Sequence, residues 1–364
     1  MKFATKFIPN PDRPVSQDGG KQDRFGEGST YMCILSSLHD KGIEFKEDYF
    51  TLRGKKRWAA RFIIDESEFL VIGAGIYFSR NGSAPRRIDG RAVSILRQKD
   101  LTKSILRTAG VSVPEGASFY KSERGLALRY YKSVRRVFRD GVCIKPNSGG
   151  LGIGITVGAA DENEFRSSFL KSAAERERVL IEELVTGPVY RIITVGRKAI
   201  AARIGRPKNV IGDGNSTIHQ LIEKKNERKR SNALHRNFPL SLGEEELGEM
   251  RRQGLSIDSV VEKGHTVFLG KRSNRHAGAE VIDCTDALHP SYLETAARAA
   301  SAIPDLVLCG VDIIIPSPDV PASPKNHAIL EMNTGPGFAD HHFPWEGKPR
   351  NVAGELIDYL RLIK

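Results

Sequence analysis

Long apolar runs are missing from this chain, and their absence excludes a membrane-spanning helix. The longest apolar stretch, residues 306–315, carries Asp312 and falls well short of the ~20 residues that a span needs. The opening Met-Lys-Phe-Ala-Thr-Lys-Phe has no apolar signal core. A soluble, cytoplasmic protein is expected. Cysteine is also scarce: Cys33, Cys143, Cys284 and Cys309 are the four, with no C-x-x-C pair. Their wide spacing argues for buried reduced thiols and against a zinc site. No G-x-S-x-G elbow and no evident Cys–His pairing occur, so covalent catalysis has little support. No repeat of fixed period is found.

What is present is a 364-residue chain with 40% hydrophobic residues, enough for a substantial core and for two or three domains. Its 35 glycines cluster at a few sites. The net charge of +12 asks for an anionic partner. Nucleic acid is not expected, because the basic residues are scattered. The densest run, Lys224-Lys-Asn-Glu-Arg-Lys-Arg230, has no interleaved aromatic residue for base stacking. A solvated helix face accounts for that run more readily. A nucleotide and an acidic substrate would equally suit a basic cleft.

Punctuation divides the chain. Residues 1–30, with three prolines and Asp18-Gly-Gly20, read as loop. A helix is predicted over 30–41, closed by Gly42, and strands over 58–64 and 68–72. Gly73-Ala-Gly75 opens no dinucleotide fingerprint, because position 78 is Phe78. Residues 81–91 read as a polar linker. Helices follow over 98–109, 122–136, 162–174, 217–229 and 291–303. Strands are expected over 141–145, 155–158, 179–182, 189–195, 198–203, 306–315 and 328–332. Such mixing argues an α/β or α+β architecture of several lobes. We expect domains over 1–98, 99–185 and 186–364.

Three segments can carry chemistry. The first is Pro146-Asn-Ser-Gly-Gly-Leu-Gly-Ile-Gly154, where Ser148, Gly149, Gly150, Gly152 and Gly154 make a loop whose amides can close over phosphate oxygens. Lys145, ending the preceding strand, can meet the same phosphates. A plain glycine-rich hairpin turn would read the same way. The second, Val179-Leu-Ile-Glu-Glu-Leu-Val-Thr-Gly187, can form a hinge whose backbone reads an adenine edge, although strands ending in Glu-Glu commonly just meet solvent. The third is sharper. Glu331 and Asn333 alternate onto one face of a strand, and Asp312 lies inside another apolar run. Together they form a hard, all-oxygen set suited to Mg²⁺. A capped buried Asp and a routine strand end are the alternative. His341-His342 follow the Gly335-Pro-Gly337 turn, and on an extended chain they would point apart, which argues against a two-His metal site.

In this order the segments resemble the ATP-grasp superfamily, and more narrowly the ATP-grasp part of cyanophycin synthetases and bifunctional glutathione synthetases. The resemblance covers roughly residues 98–360. It rests on Lys99-Asp-Leu-Thr-Lys103 through Gly110-Val-Ser-Val-Pro114, on the glycine-rich loop, on Val210-Ile-Gly-Asp-Gly214, on Gly310-Val-Asp312 and on Glu331-Met-Asn-Thr-Gly-Pro-Gly337. It implies an ATP-grasp fold, with ATP held between two α+β lobes and a smaller N-terminal domain. Lys99 and Lys145 would contact ATP phosphates, residues 148–154 would form the mobile loop, and Glu182, Glu183, Leu184 and Val185 the adenine hinge. Asp312, Glu331 and Asn333 would hold Mg²⁺, or Mn²⁺. Arg191 and Arg203 would stand near the reacting phosphate and carboxylate, with Asn274 and His341 in the substrate pocket.

The implied activity is ATP-dependent carboxylate–amine ligation through an acyl phosphate, giving ADP and phosphate. A kinase built on the same fold and a non-catalytic basic nucleotide-binding module are the alternatives. The substrates would be small-molecule or peptide carboxylates and amines, at least one of them anionic, with no membrane partner, and a homo-oligomer would be unsurprising. Two departures stand out. Val189 occupies a place where the family often has an acidic residue reading the ribose. The first 97 residues match neither relative and the chain stops at Lys364 without a second ligase module, so processive polymerisation is not expected.

Overall fold

The computed structural model describes residues 29–52, 54–79, 83–150, 152–273 and 275–363. The chain crosses back and forth between two compact units. One unit takes the described residues up to Arg87, with Ile200–Thr285 and Gly337–Lys364; the other takes Ile88–Ala199 and Asp286–Pro336.

The first unit opens with helix α1 (Thr30–Asp40), whose N-terminal amides are met by the Ser29 hydroxyl. Gly42, in left-handed backbone, ends it. A meander of five antiparallel strands follows: β1 (Phe45–Leu52), β2 (Lys55–Ile64), β3 (Ser67–Ile72), β4 (Gly75–Ser79) and β5 (Arg86–Arg87). Its register is set by a file of aromatic rings. Phe62 stands opposite Phe69, and Phe69 opposite Phe78, with centroids 5.7 and 5.5 Å apart. Asp65 and Glu66, both at positive φ, make the tight turn from β2 to β3. Of these strands only β2 and β3 correspond to strands expected from the sequence, over 58–64 and 68–72. The expected loop over residues 1–30 lies, but for its last two residues, outside the described residues, and the expected linker over 81–91 lies partly outside them; its remainder holds β5.

The second unit begins with α2 (Gly90–Leu96), α3 (Lys99–Thr108), β6 (Gly116–Tyr120), α4 (Arg124–Val134), β7 (Val142–Pro146), β8 (Thr156–Val157), α5 (Glu162–Glu175) and β9 (Arg178–Glu183). Its sheet runs β6-β9-β7-β8, all antiparallel. Tyr131 of α4 stacks on Phe165 of α5 at 4.4 Å, and the two rings belong to the apolar core that covers this sheet. The chain then enters β10 (Val189–Val195).

Back in the first unit come β11 (Lys198–Arg206), β12 (Asn209–Ile211), α6 (Ile218–Arg230), α7 (Glu244–Arg252), β13 (Thr266–Phe268) and β14 (Glu280–Asp283). Strands β11 and β14 are antiparallel partners, as are β12 and β13. Helix α6 keeps Lys224, Glu227, Arg228 and Arg230 exposed, as expected of a solvated basic face, but two of its lysines turn inward. Lys229 is 1% exposed and donates to the Phe238 carbonyl, and Lys225 turns inward to Glu280. Burial pushes the Lys229 ammonium down to about 8.

The second unit is completed by α8 (Pro290–Ser301), β15 (Leu308–Ile314) and β16 (Ala328–Thr334), with β15 lying between β10 and β16. The first is completed by α9 (Ala339–His342) and α10 (Val352–Leu360), the former tied to α1 where Phe338 and Ala339 amides donate to the Thr30 hydroxyl. The cysteines are free thiols, three buried and Cys143 half-buried. Among the described residues no helix is long and apolar enough to cross a membrane.

Candidate active site

The second unit gathers most of the expected site residues on one strand hairpin, one helix start and three adjacent strands. Strand β7 delivers Lys145, and β9 delivers Glu182. With Cys143 opposite Glu182 and Lys145 opposite Leu180, these two side chains are diagonal neighbours on one sheet face. Lys145 Nζ lies 2.5 Å from one Glu182 oxygen. The other oxygen is 3.0 Å from Lys103 Nζ of α3. Glu182 is 1% exposed, so it does not meet solvent as a strand-end glutamate commonly would. Burial alone would push both ammonium groups toward deprotonation. For Lys145 the adjacent carboxylate more than offsets it and holds the pKa above the ordinary value. For Lys103 burial wins and the pKa falls to about 8. Gly116 permits the close strand approach here, since an added Cβ would sit 2.6 Å from the Glu182 Cβ.

Helix α3 has no N-cap of its own, and Asn147 supplies one from the base of the glycine-rich loop. Its carbonyl accepts from the Lys99 amide and its Oδ1 from the Asp100 amide, each at 3.0 Å. That staple brings Lys99 Nζ to the Gly149 carbonyl at 2.9 Å and to Glu331 at 3.4 Å. The loop joins β7 to β8 as the expected hairpin. Gly149, Gly152 and Gly154 all take positive φ, and Ser172 of α5 holds the Gly154 carbonyl at 2.5 Å. Leu151 lies outside the described residues.

The three adjacent strands β10, β15 and β16 place Arg191 opposite Asp312, and Asp312 opposite Glu331. Arg191 grips Asp312 at two points, Nε to Oδ1 at 2.5 Å and Nη2 to Oδ2 at 2.8 Å. Asn333 donates to the same Oδ2 at 3.3 Å. The register shifts between Asp312 and Ile313, a bulge beside the charged pair. The apolar run around Asp312 therefore holds no lone charge. Gly310 makes the room: an added Cβ would lie 2.7 Å from Arg191 Nη1 and 3.0 Å from Pro336.

After β9 the backbone donors of the expected hinge are partly engaged, Glu183 N–H with the Glu115 carbonyl and Leu184 N–H with that of Gly141. Leu184 and Val185 are half-buried, and Val189 starts β10 at 41% exposure.

Arg203 and His341 belong to the first unit. Arg203 stands opposite Asp283 on the β11–β14 pair and meets Asp340 at 2.9 Å. Arg275 meets the other oxygen of Asp340 at 3.0 Å, so one buried carboxylate carries two guanidinium groups. His341 and His342 are not on an extended chain; both sit buried on α9. His342 Nε2 accepts from the Ala353 amide at 3.1 Å, and burial pushes its pKa down to about 4. Asn274 lies outside the described residues. Lys103, Arg275 and Asp340 are not among the site residues expected from the sequence. For Lys103 a signal existed, since it sits four residues after Lys99 on one helix face.

The fold is the ATP-grasp fold expected from the order of the motifs, and the chain resembles the ATP-grasp ligases over nearly its whole length. It is 34% identical over 368 residues to the glutathione biosynthesis bifunctional protein GshAB of Clostridium perfringens, covering 99% of this chain and 44% of that protein. It is 34% identical over 272 residues to cyanophycin synthetase of Geminocystis herdmanii, covering 74% of this chain and 30% of that one. Among solved structures, a bifunctional glutathione synthetase from Pasteurella multocida matches with a TM-score of 0.64 at 29% identity, over 90% of this chain and 43% of the other. The chain thus spans less than half the length of these relatives. No family model matches it. The similarity to the Clostridium protein reaches beyond residues 98–360 and takes in the first 97 residues, against the expectation that these match neither relative.

Proposed function

We propose that the chain joins a carboxylate to an amine at the expense of ATP, through an acyl phosphate, with ADP and phosphate as products. The observation that carries this reading is the bridge made by Lys99, whose ammonium touches both the glycine-rich loop at Gly149 and the Glu331 carboxylate. The contact supports a reading in which the glycine-rich loop holds phosphate beside the candidate oxygen ligands of the same unit.

ATP-grasp ligases use ATP with magnesium, and the donor chemistry here suits that ion. Asp312 and Glu331 face each other across two strands, and Asn333 donates its amide N–H to Asp312, which leaves its Oδ1 as a third hard oxygen. These three would hold the metal, Mn²⁺ suiting the same oxygens. When bound, the metal would neutralise charge on the distal phosphates. Lys145 and Lys99 supply point charges for the same phosphates. The loop, hinged at glycines of positive φ, closes and excludes water from a hydrolysable acyl phosphate. An adenine edge would be read by the backbone at Val185, beyond the engaged amides of Glu183 and Leu184. Arg191 stabilises charge developing on the transferred phosphoryl group, and within the first unit Arg203 and His341 are the residues we propose to meet the carboxylate substrate. The net charge of +12 favours at least one anionic substrate.

The test is product analysis during a screen of amino acids and short peptides as donors and acceptors. ADP and phosphate should form, and hydroxylamine in place of the amine should trap a hydroxamate. AMP with pyrophosphate would overturn the acyl-phosphate route. A stable phosphorylated product without hydroxamate would make the chain a kinase.

A further inference from the structure

The buried cluster around Glu182 holds one cation more than its carboxylate needs. Lys145 Nζ lies 2.5 Å from one Glu182 oxygen and Lys103 Nζ 3.0 Å from the other, and all three side chains are at least 92% buried by their own exposures of 8%, 4% and 2%. The thiol of Cys143, opposite Glu182 on β7, is neutral, since burial pushes its pKa up to about 11. Arg107 adds positive charge from the same helix as Lys103, and Glu331 adds negative charge on the Lys145 side.

An ammonium clasped by a carboxylate is poorly placed to serve a phosphate. If Lys145 turned from Glu182 with no other cation present, it would strand a buried anion, which is strongly unfavourable. The second lysine removes that obstacle. Lys103 comes from the α3 turn after Lys99, and α3 is capped by Asn147 from the base of the glycine-rich loop. The cation that stays behind is thus anchored on the helix whose start the loop itself secures.

Resting on the ligase reading above, we propose that Lys103 is a positioning residue, which keeps Glu182 compensated while Lys145 turns to a phosphate of the bound nucleotide. Lys103 itself need not touch the nucleotide. Its removal should leave Lys145 locked to Glu182, and removing the Glu182 charge as well should release it, because Lys145 then has no carboxylate there to hold it.

Calorimetric titration with magnesium and a β,γ-methylene ATP analogue tests this in wild type, Lys103→Met and Lys103→Met with Glu182→Gln, each with a melting curve. Lys103→Met should weaken binding roughly 10- to 150-fold, the scale of one charge-assisted phosphate contact. The double variant should return to within about threefold of wild type, a coupling that a merely structural lysine would not give. If Lys103→Met does not fold, Lys103→Gln carries the same comparison. Unchanged affinity in the single variant, or no recovery in a folded double variant, overturns the proposal while wild-type binding keeps the ligase reading. A wild-type chain that binds no nucleotide overturns both.

Discussion

Arg191 and Asp312 face each other on neighbouring antiparallel strands, and the guanidinium holds the carboxylate at two points, 2.5 and 2.8 Å. A bidentate pair at 23% and 18% exposure is well defined yet reachable by solvent. The same carboxylate is the centre of the proposed metal set. Arginine and metal would therefore share Asp312, one oxygen-rich carboxylate serving as link between the phosphoryl-facing cation and the ion.

Asp312→Asn and Glu331→Gln should each abolish magnesium-dependent ADP formation. Stability should fall by only about 1–3 kcal/mol for Asp312→Asn, the scale of a hydrogen-bonded charge left unpaired. Activity assays beside melting curves check this, and turnover retained in both variants would remove the metal assignment.

Gly310→Ala tests the same pair from the backbone side. The new Cβ would meet Arg191 Nη1 at 2.7 Å, so the guanidinium must leave its place over Asp312. We expect turnover to drop roughly 10- to 100-fold, as small misplacements of a charged group commonly do. The protein should still melt cooperatively. Full activity would mean that Arg191 needs no such seat.

Lys145→Ala should weaken nucleotide binding roughly 10- to 150-fold while changing stability little. Lys103 remains 3.0 Å from Glu182 and keeps that buried carboxylate compensated. Isothermal titration with ADP and magnesium gives the affinity, and an unchanged value contradicts the phosphate role.

Acid should unfold the first unit through two histidines. Burial lowers both His235 and His342 from 6.5 to about 4. Above pH 6.5 neither state carries the proton. Below it the unfolded chain binds a proton that the folded chain refuses, so stability is lost as pH falls from 6.5 toward 4. The full loss per histidine is on the order of 3 kcal/mol, from the gap between 6.5 and about 4. His342→Gln, whose side-chain oxygen can still accept from the Ala353 amide, should flatten the melting-temperature profile in that window. An unaltered profile would show that His342 does not carry this term.

Features that depend on neighbours along the chain are legible in its residues alone. Strand alternation put Glu331 and Asn333 on one face, glycine spacing marked the β7–β8 loop, and the order of motifs pointed to the ATP-grasp fold. The helix over 217–229 was equally legible, appearing as α6 (Ile218–Arg230). Which charges meet is a different matter, because sheet register and helix docking bring together residues with no sequence relation. Arg191 finds Asp312 across 121 positions, and Lys103 of α3 finds Glu182 of β9 only in the folded chain. Lys225 and Lys229 looked like solvated cations in a basic run, and only packing against Glu280 and the Phe238 carbonyl turned them inward. The local pattern names the residues able to do chemistry, and tertiary structure decides which of them neutralise one another, because Coulomb pairing and desolvation act through space.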